Sequence, residues 1–280
     1  MPRPAVMTAS FGLAAATAVS LGLAASLGVF SPRRVHGPRR LSDDETSGVI
    51  VSILGFGIMG WASTNLVFAL IVRSLGMPIS HGKLSDKEQV LLSCAIFLTV
   101  FIILIIASVN LRKEGIKRLG IGWNRFPRGV AGGILGIIVI LPLMFHVSDW
   151  NEIILKRLHQ PVDEHYLLRI LGSLPQTWLR WSIAFSAVIL APLAEELFFR
   201  GYLQTAVRYA TNQPWLAIFC SALAWAAVHP SFEMLPIFFL GISLGYIYER
   251  SANLWTCIVV HALFNATSLG IFWHFLTTTH

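Results

Sequence analysis

The chain has 280 residues, of which 55% are hydrophobic and only 12% charged, and its mean hydropathy is +0.68. These values exclude an ordinary soluble domain and point to an integral, multi-pass membrane protein of the all-α class. The formal charge of +7 does not point to nucleic acid, because the Lys and Arg residues gather in short loops beside apolar runs, where they act as topology signals.

A helix needs about 20 apolar residues to cross about 30 Å of hydrocarbon. Runs of that kind lie near 11–30, 49–73, 90–111, 130–147, 181–209, 214–230, 234–249 and 254–276, which predicts a transmembrane helix bundle of seven to eight spans. The first run, behind Arg3, reads either as a signal peptide or as a retained helix. Arg33, Arg34, Arg39 and Arg40 follow it directly and favour retention, since basic residues stay on the cytoplasmic side. Residues 1–48 are therefore an apolar segment with a basic tail, and 49–280 one membrane-embedded helical domain.

With 31–48 cytoplasmic, alternation puts 112–128 on the same side, where Arg112, Lys113, Lys117, Arg118, Arg125 and Arg128 stand. Arg208 and Arg250 share that side. The segment 148–180 falls outside, with Lys156, Arg157, Arg169 and Arg180 balanced by Asp149, Glu152, Asp163 and Glu164. Its amphipathic stretches, 153–158 and 166–171, read as short interfacial helices. Cys94, Cys220 and Cys257 each fall within an apolar run without Cys-x-x-Cys spacing, and read as small buried hydrophobes.

Against this background Glu195 and Glu196 stand out, deep within an apolar run. A charge at the bilayer centre costs roughly 2.5–3.5 kcal/mol on insertion scales, so the pair calls for a reason. On a helix Glu196 and Arg200 share a face and can pair, whereas Glu195 is turned about 100° away and is left as the free carboxylate. The next span ends on Trp225 and His229, followed by Pro230, and the last carries His261 and Asn265 on one face. If the chain turns near Asn212, Glu195 and His229 lie 17 residues on either side of the turn. At about 1.5 Å per residue both stand at a height of about 25 Å, whereas His261 and Asn265, 8 and 12 residues past Asn253, reach about 12–18 Å, so three spans can bring Glu195, His229, His261 and Asn265 towards one chamber, with His261 lower unless the helices tilt.

Such a chamber suits water activation. A desolvated carboxylate acts as a general base, an imidazole orients water or passes its proton on, and a His N–H with an Asn amide offers two donors to an oxyanion. The three motifs in order, Glu-Glu-x-x-x-Arg at Glu195, Glu196 and Arg200, aromatic-x-x-x-His at Trp225 and His229, and His-x-x-x-Asn at His261 and Asn265, resemble the signature of the CPBP family. That family holds the CAAX prenyl endopeptidases and the Abi or bacteriocin-processing membrane proteins. The resemblance covers about residues 180–270 and departs from the usual pattern at Trp225, where Phe is common.

The resemblance implies a glutamate-dependent intramembrane endopeptidase. In it Glu195 and His229 activate the water, Glu196 and Arg200 support the site, and His261 with Asn265 forms the oxyanion hole. The implied substrate is a membrane-associated protein or peptide, lipidated or not, reached from the lipid or the cytoplasmic face, with no organic cofactor, no metal and no nucleic acid.

Three other readings use the same residues. A zinc-dependent protease has two carboxylates and two histidines to draw on, but lacks His-Glu-x-x-His. A non-catalytic immunity protein or scaffold would use the polar residues as a folding brace between helices. A transporter would use the carboxylates as a proton relay, without the inverted repeat that such proteins carry. Trp225 reads as a packing residue, and Asp163, Glu164 and His165 are too close in sequence to chelate a cation unaided.

Overall fold

A computed structural model of the chain describes residues 119–160 and 177–278, together with residues 94, 95, 98, 99, 101 and 102. Every element among the described residues is helical. A short 3₁₀ turn, Trp123–Arg125, leads into α1, Phe126–Arg157. Then come α2, Thr177–Thr211, α3, Pro214–Ala227, α4, Met234–Ser251, and α5, Leu254–Thr278. Four helical stretches, Trp123–Arg157, Thr177–Thr211, Ser231–Ser251 and Leu254–His274, are long and apolar enough to cross a membrane, and α3 is a shorter apolar helix. The expected spans near 130–147, 181–209, 234–249 and 254–276 fall on these four. Those near 11–30 and 49–73, and most of 90–111, lie outside the described residues, as does the segment 161–176.

Local chemistry sets where the chain turns. Asn212 adopts φ 55°, a left-handed conformation that asparagine tolerates, and ends α2 before Pro214 starts α3. Ala252 does the same between α4 and α5 at φ 46°, which is costly for an alanine, and its carbonyl accepts a hydrogen bond from Arg125 Nη1 at 2.7 Å. The helices thus alternate in direction and share two ends. At the Asn212 end, Tyr248 donates to Leu119 O, Trp255 to Ile121 O and Asn253 to Arg125 O. At the opposite, His229 end, Asn151 of α1 donates to Phe232 O at 2.7 Å.

Small residues bring the helices together, as lipid offers no hydrophobic drive between them. A Cβ added to Gly129 or Gly133 of α1 would fall 2.4 Å from Trp255 Cβ or 2.5 Å from Val259 Cγ1 of α5, so glycine there allows the two backbones to close. The core between them holds Ile137, Ile140, Met144, Leu197, Leu240, Leu244, Leu254 and Val260. Large apolar side chains such as Leu135, Ile138 and Trp181 turn outward, as lipid-facing helices require.

Candidate active site

α2 is not a uniform α-helix. It widens into π-helical geometry over Ser186–Leu190 and again over Leu197–Gln204, on either side of the α-helical turn Ala191–Glu196 that carries both glutamates. Such widenings are rare and are often found at functional sites. Pro192 explains the first. It has no N–H to give back along the helix, and the N–H of Ala191 reaches five residues back to Ser186 O. The partner that Ala187 O would take in this geometry is the missing N–H of Pro192. That carbonyl is satisfied instead by Asn265 Nδ2 of α5, at 2.8 Å. In the second widening, Phe199 O accepts from Ser221 Oγ of α3 and Arg200 O from Thr205 Oγ1.

The two adjacent glutamates end in opposite surroundings. Glu196 is fully buried and makes the expected pair with Arg200, Nη1 to Oε1 at 2.8 Å. The same oxygen accepts from His261 Nδ1 at 2.9 Å, so the His261 ring leaves Nε2 as its other nitrogen. Glu196 Oε2 and Arg200 Nε have no hydrogen-bond partner among the described residues. Arg200 also donates to Gly241 O and lies over the Trp225 ring, 4.3 Å from its centroid.

Glu195 is only partly buried. It was expected to be unpaired, but its Oε2 accepts a hydrogen bond from Trp225 Nε1 at 2.7 Å, leaving Oε1 without a hydrogen bond among the described residues. An indole N–H can only donate, so this contact holds the carboxylate in one orientation.

Trp225 is the centre that sequence reading missed. Besides Glu195 and Arg200 it meets His229 edge-to-face at 5.5 Å between centroids and His261 at 5.1 Å. His229 Nδ1 lies 2.8 Å from Trp225 O, and because a carbonyl can only accept, the proton sits on Nδ1 and Nε2 of the neutral ring is the free base. The available signal was the Trp in place of the usual Phe, since only the indole carries a donor.

Glu195, Trp225, His229, His261 and Asn265 all line one cavity of about 460 Å³, so the structure brings together the four residues singled out for chemistry. Its apolar wall includes Ile183, Ile237, Leu240, Phe264 and Leu269, and its polar rim includes Ser148, Glu152 and Glu233, which sequence reading left unassigned. Glu152 pairs with Lys156, one turn further along α1. Asn265 was expected as a free donor. One of its two N–H bonds is committed to Ala187, and the other has no hydrogen bond among the described residues. Among the described residues no three His, Cys, Asp or Glu side chains are grouped closely enough to hold a metal ion.

Comparison with known proteins fits this geometry. Residues 176–267, which span α2, α3, α4 and most of α5, match the family described as Type II CAAX prenyl endopeptidase Rce1-like. Over 98 residues the chain is 31% identical to UPF0177 protein YxdF of Lactococcus lactis subsp. lactis (strain IL1403), an alignment that covers 34% of this chain and 51% of that protein. The chain therefore spans about half the length of the curated relative it matches. No solved structure matches it. The stretch 176–267, similar to the Rce1-like, type II CAAX prenyl endopeptidase family, holds every residue of the cavity's polar centre in this multi-pass membrane protein.

Proposed function

We propose that the protein is an intramembrane endopeptidase that hydrolyses a peptide bond in a membrane-associated polypeptide, using water activated by Glu195 and His229. One observation carries this reading: Glu195, held by Trp225 through one oxygen, keeps the other uncommitted beside a cavity that His229 shares. That oxygen holds a water and takes its proton as the water oxygen attacks the scissile carbonyl carbon. The resulting oxyanion meets the second N–H of Asn265 and, when the ring is doubly protonated, His261 Nε2–H. The C–N bond then breaks, and the proton taken from water passes to the leaving amine, directly from Glu195 or by way of His229 Nε2. Glu196 and Arg200 touch neither water nor substrate in this scheme. They set the position of His261 and of the Trp225 ring.

The test is comparative proteomics of membranes carrying the wild-type chain or Glu195→Gln, which preserves shape and removes basicity. The substitution is expected to lower formation of a neo-terminus by roughly 10²–10⁴-fold at unchanged protein level. A second reading, a non-catalytic scaffold, is favoured by the commitment of His261 to Glu196 and of Asn265 to Ala187, which are bonds that brace helices. An unchanged set of termini and an unchanged phenotype in Glu195→Gln would decide for the scaffold. Cleavage that persists in strong chelator would set aside the zinc-dependent version.

A further inference from the structure

We propose that Gly241 of α4 is a positioning residue for the Glu195 carboxylate, acting through the Trp225 indole. The geometry stands without regard to activity, while its effect on cleavage rests on the endopeptidase reading above.

Glycine is a poor choice within a helix on propensity alone, so one in the middle of α4 calls for a reason in its surroundings. Ala222 and Trp225, three residues apart on one face of α3, stand opposite it. A Cβ built on Gly241 would fall 2.9 Å from Ala222 Cβ, 3.0 Å from Ala222 Cα and 3.2 Å from Trp225 Cε3. The first two contacts mean that a side chain at this position pushes α3 and α4 apart. The third means that even a methyl group that left the helices in place would press on the indole. The bond from Arg200 to Gly241 O does not account for the glycine, since every residue offers a carbonyl. The requirement is for space.

The indole has little slack with which to absorb such a push. Trp225 is buried, Arg200 lies over its ring at 4.3 Å from the centroid, and His261 and His229 meet it edge-to-face at 5.1 and 5.5 Å. Phe199 lies against it at 6.3 Å between centroids. Cε3 and Nε1 belong to opposite edges of one rigid, planar group, so a displacement at Cε3 carries Nε1 with it. That nitrogen donates to Glu195 Oε2 at 2.7 Å. The missing side chain at Gly241 thus sets where the indole sits, and the indole sets where Glu195 points. An indole is wider than a phenyl ring, so the same space is what allows a hydrogen-bond donor at position 225.

Gly245, one turn further along α4, supplies the contrast. A Cβ there would fall 2.8 Å from Gln204 Oε1 and 3.1 Å from Ile218 Cγ2, which are the ends of side chains. Crowding at this second glycine falls on the cluster that holds Glu249, and not first on the indole.

The test compares Gly241→Ala with Gly245→Ala in the full-length protein in detergent, reading the indole N–H resonances of its nine tryptophans by NMR. The Trp225 resonance is the one lost in Trp225→Phe, and Glu195→Gln marks where it moves when the acceptor loses its charge. Gly241→Ala is expected to shift this resonance in the same direction as Glu195→Gln does, and Gly245→Ala to leave it in place. In membranes, Gly241→Ala is expected to lower neo-terminus formation by about three- to tenfold at equal protein level. In a Trp225→Phe background it is expected to lower it no further. Where Gly241→Ala alone fails to fold, Gly241→Ala combined with Ala222→Gly removes the Ala222 Cβ contact, keeps the one on Trp225, and carries the same expectations. An unmoved resonance, an equal shift in both glycine variants, or a further loss of cleavage in the Trp225→Phe background each overturn the proposal. The two readings fail separately. An unmoved resonance with Glu195-dependent cleavage intact removes only the positioning role, and a shifted resonance without any Glu195-dependent neo-terminus removes only the endopeptidase.

Discussion

Two buried polar clusters follow one another along α2, and they differ in one respect that matters. In the first, Glu196 pairs with Arg200 at 2.8 Å and receives His261. In the second, nearer the Asn212 end, the buried Glu249 of α4 receives Gln204 Nε2 at 3.1 Å and faces Arg208 at 3.6 Å, while Gln204 also donates to Gly245 O. Both contain a carboxylate, an arginine and a bond from α2 to a carbonyl of α4. Both leave a buried polar atom without a hydrogen bond, Glu196 Oε2 in one and Gln204 Oε1 in the other. Among the described residues, the cavity of about 460 Å³ meets the first cluster, through His261 beside Glu195 and Trp225, and no residue of the second. A costly charge within a span is therefore not by itself a mark of chemistry. It is the uncommitted atom facing open space that separates a site from a brace.

The comparison breaks most visibly at Arg200. Arg200→Ala leaves Glu196 as an uncompensated buried charge and is expected to cost about 3–5 kcal/mol, enough to remove the folded protein from the membrane. Thermal unfolding in detergent and steady-state level measure it, and a well-folded variant would mean that His261 alone compensates Glu196. Next comes Trp225→Phe, which keeps the ring and deletes the donor to Glu195. A hydrogen bond to a charged group contributes about 1.5–3 kcal/mol, so the cleavage rate is expected to fall by about ten- to a hundredfold with little change in the unfolding temperature. A loss confined to stability would move Trp225 back to the packing role that the sequence suggests.

Glu249→Gln sharpens the contrast from the other side. It is expected to destabilise the protein by about 1 kcal/mol and to leave cleavage unchanged, because none of its residues lines the cavity beside Glu195. Lost cleavage at full stability would show that the second cluster is coupled to the first. The smallest effect concerns Asn265, which belongs to both descriptions. Pro192→Ala restores an N–H near Ala187 O, so Asn265→Ala should destabilise the Pro192→Ala protein less than the wild type. The double-mutant coupling is expected at about 0.5–1 kcal/mol. An absence of coupling would free Asn265 from the brace and strengthen its oxyanion role.

Much of this was legible before the fold. The spans near 130–147, 181–209, 234–249 and 254–276 are sustained apolar runs, and hydropathy reads such runs well because lipid leaves the backbone no alternative to a helix. The Glu196–Arg200 pair follows from four-residue spacing alone. The Gln204–Glu249 cluster was not legible, since its two residues lie on different spans and neither stands in a motif. Nor was the partner of Asn265: that Ala187 O lacks a donor depends on a proline five residues later and on the helix widening before it.

What the amino-acid order determined is the class of protein, the helices, and a short set of polar residues within the spans, because hydrophobicity and helical period act locally along the chain. What the tertiary structure decided is which of those residues remain uncommitted. Glu195 and Glu196 are neighbours in sequence with identical chemistry, yet one is buried with an oxygen shared by Arg200 and His261, and the other borders the cavity with one oxygen held by Trp225. That division arises from groups far away in the chain, Trp225 and His261, whose donors reach the two carboxylates only once α3 and α5 have packed against α2.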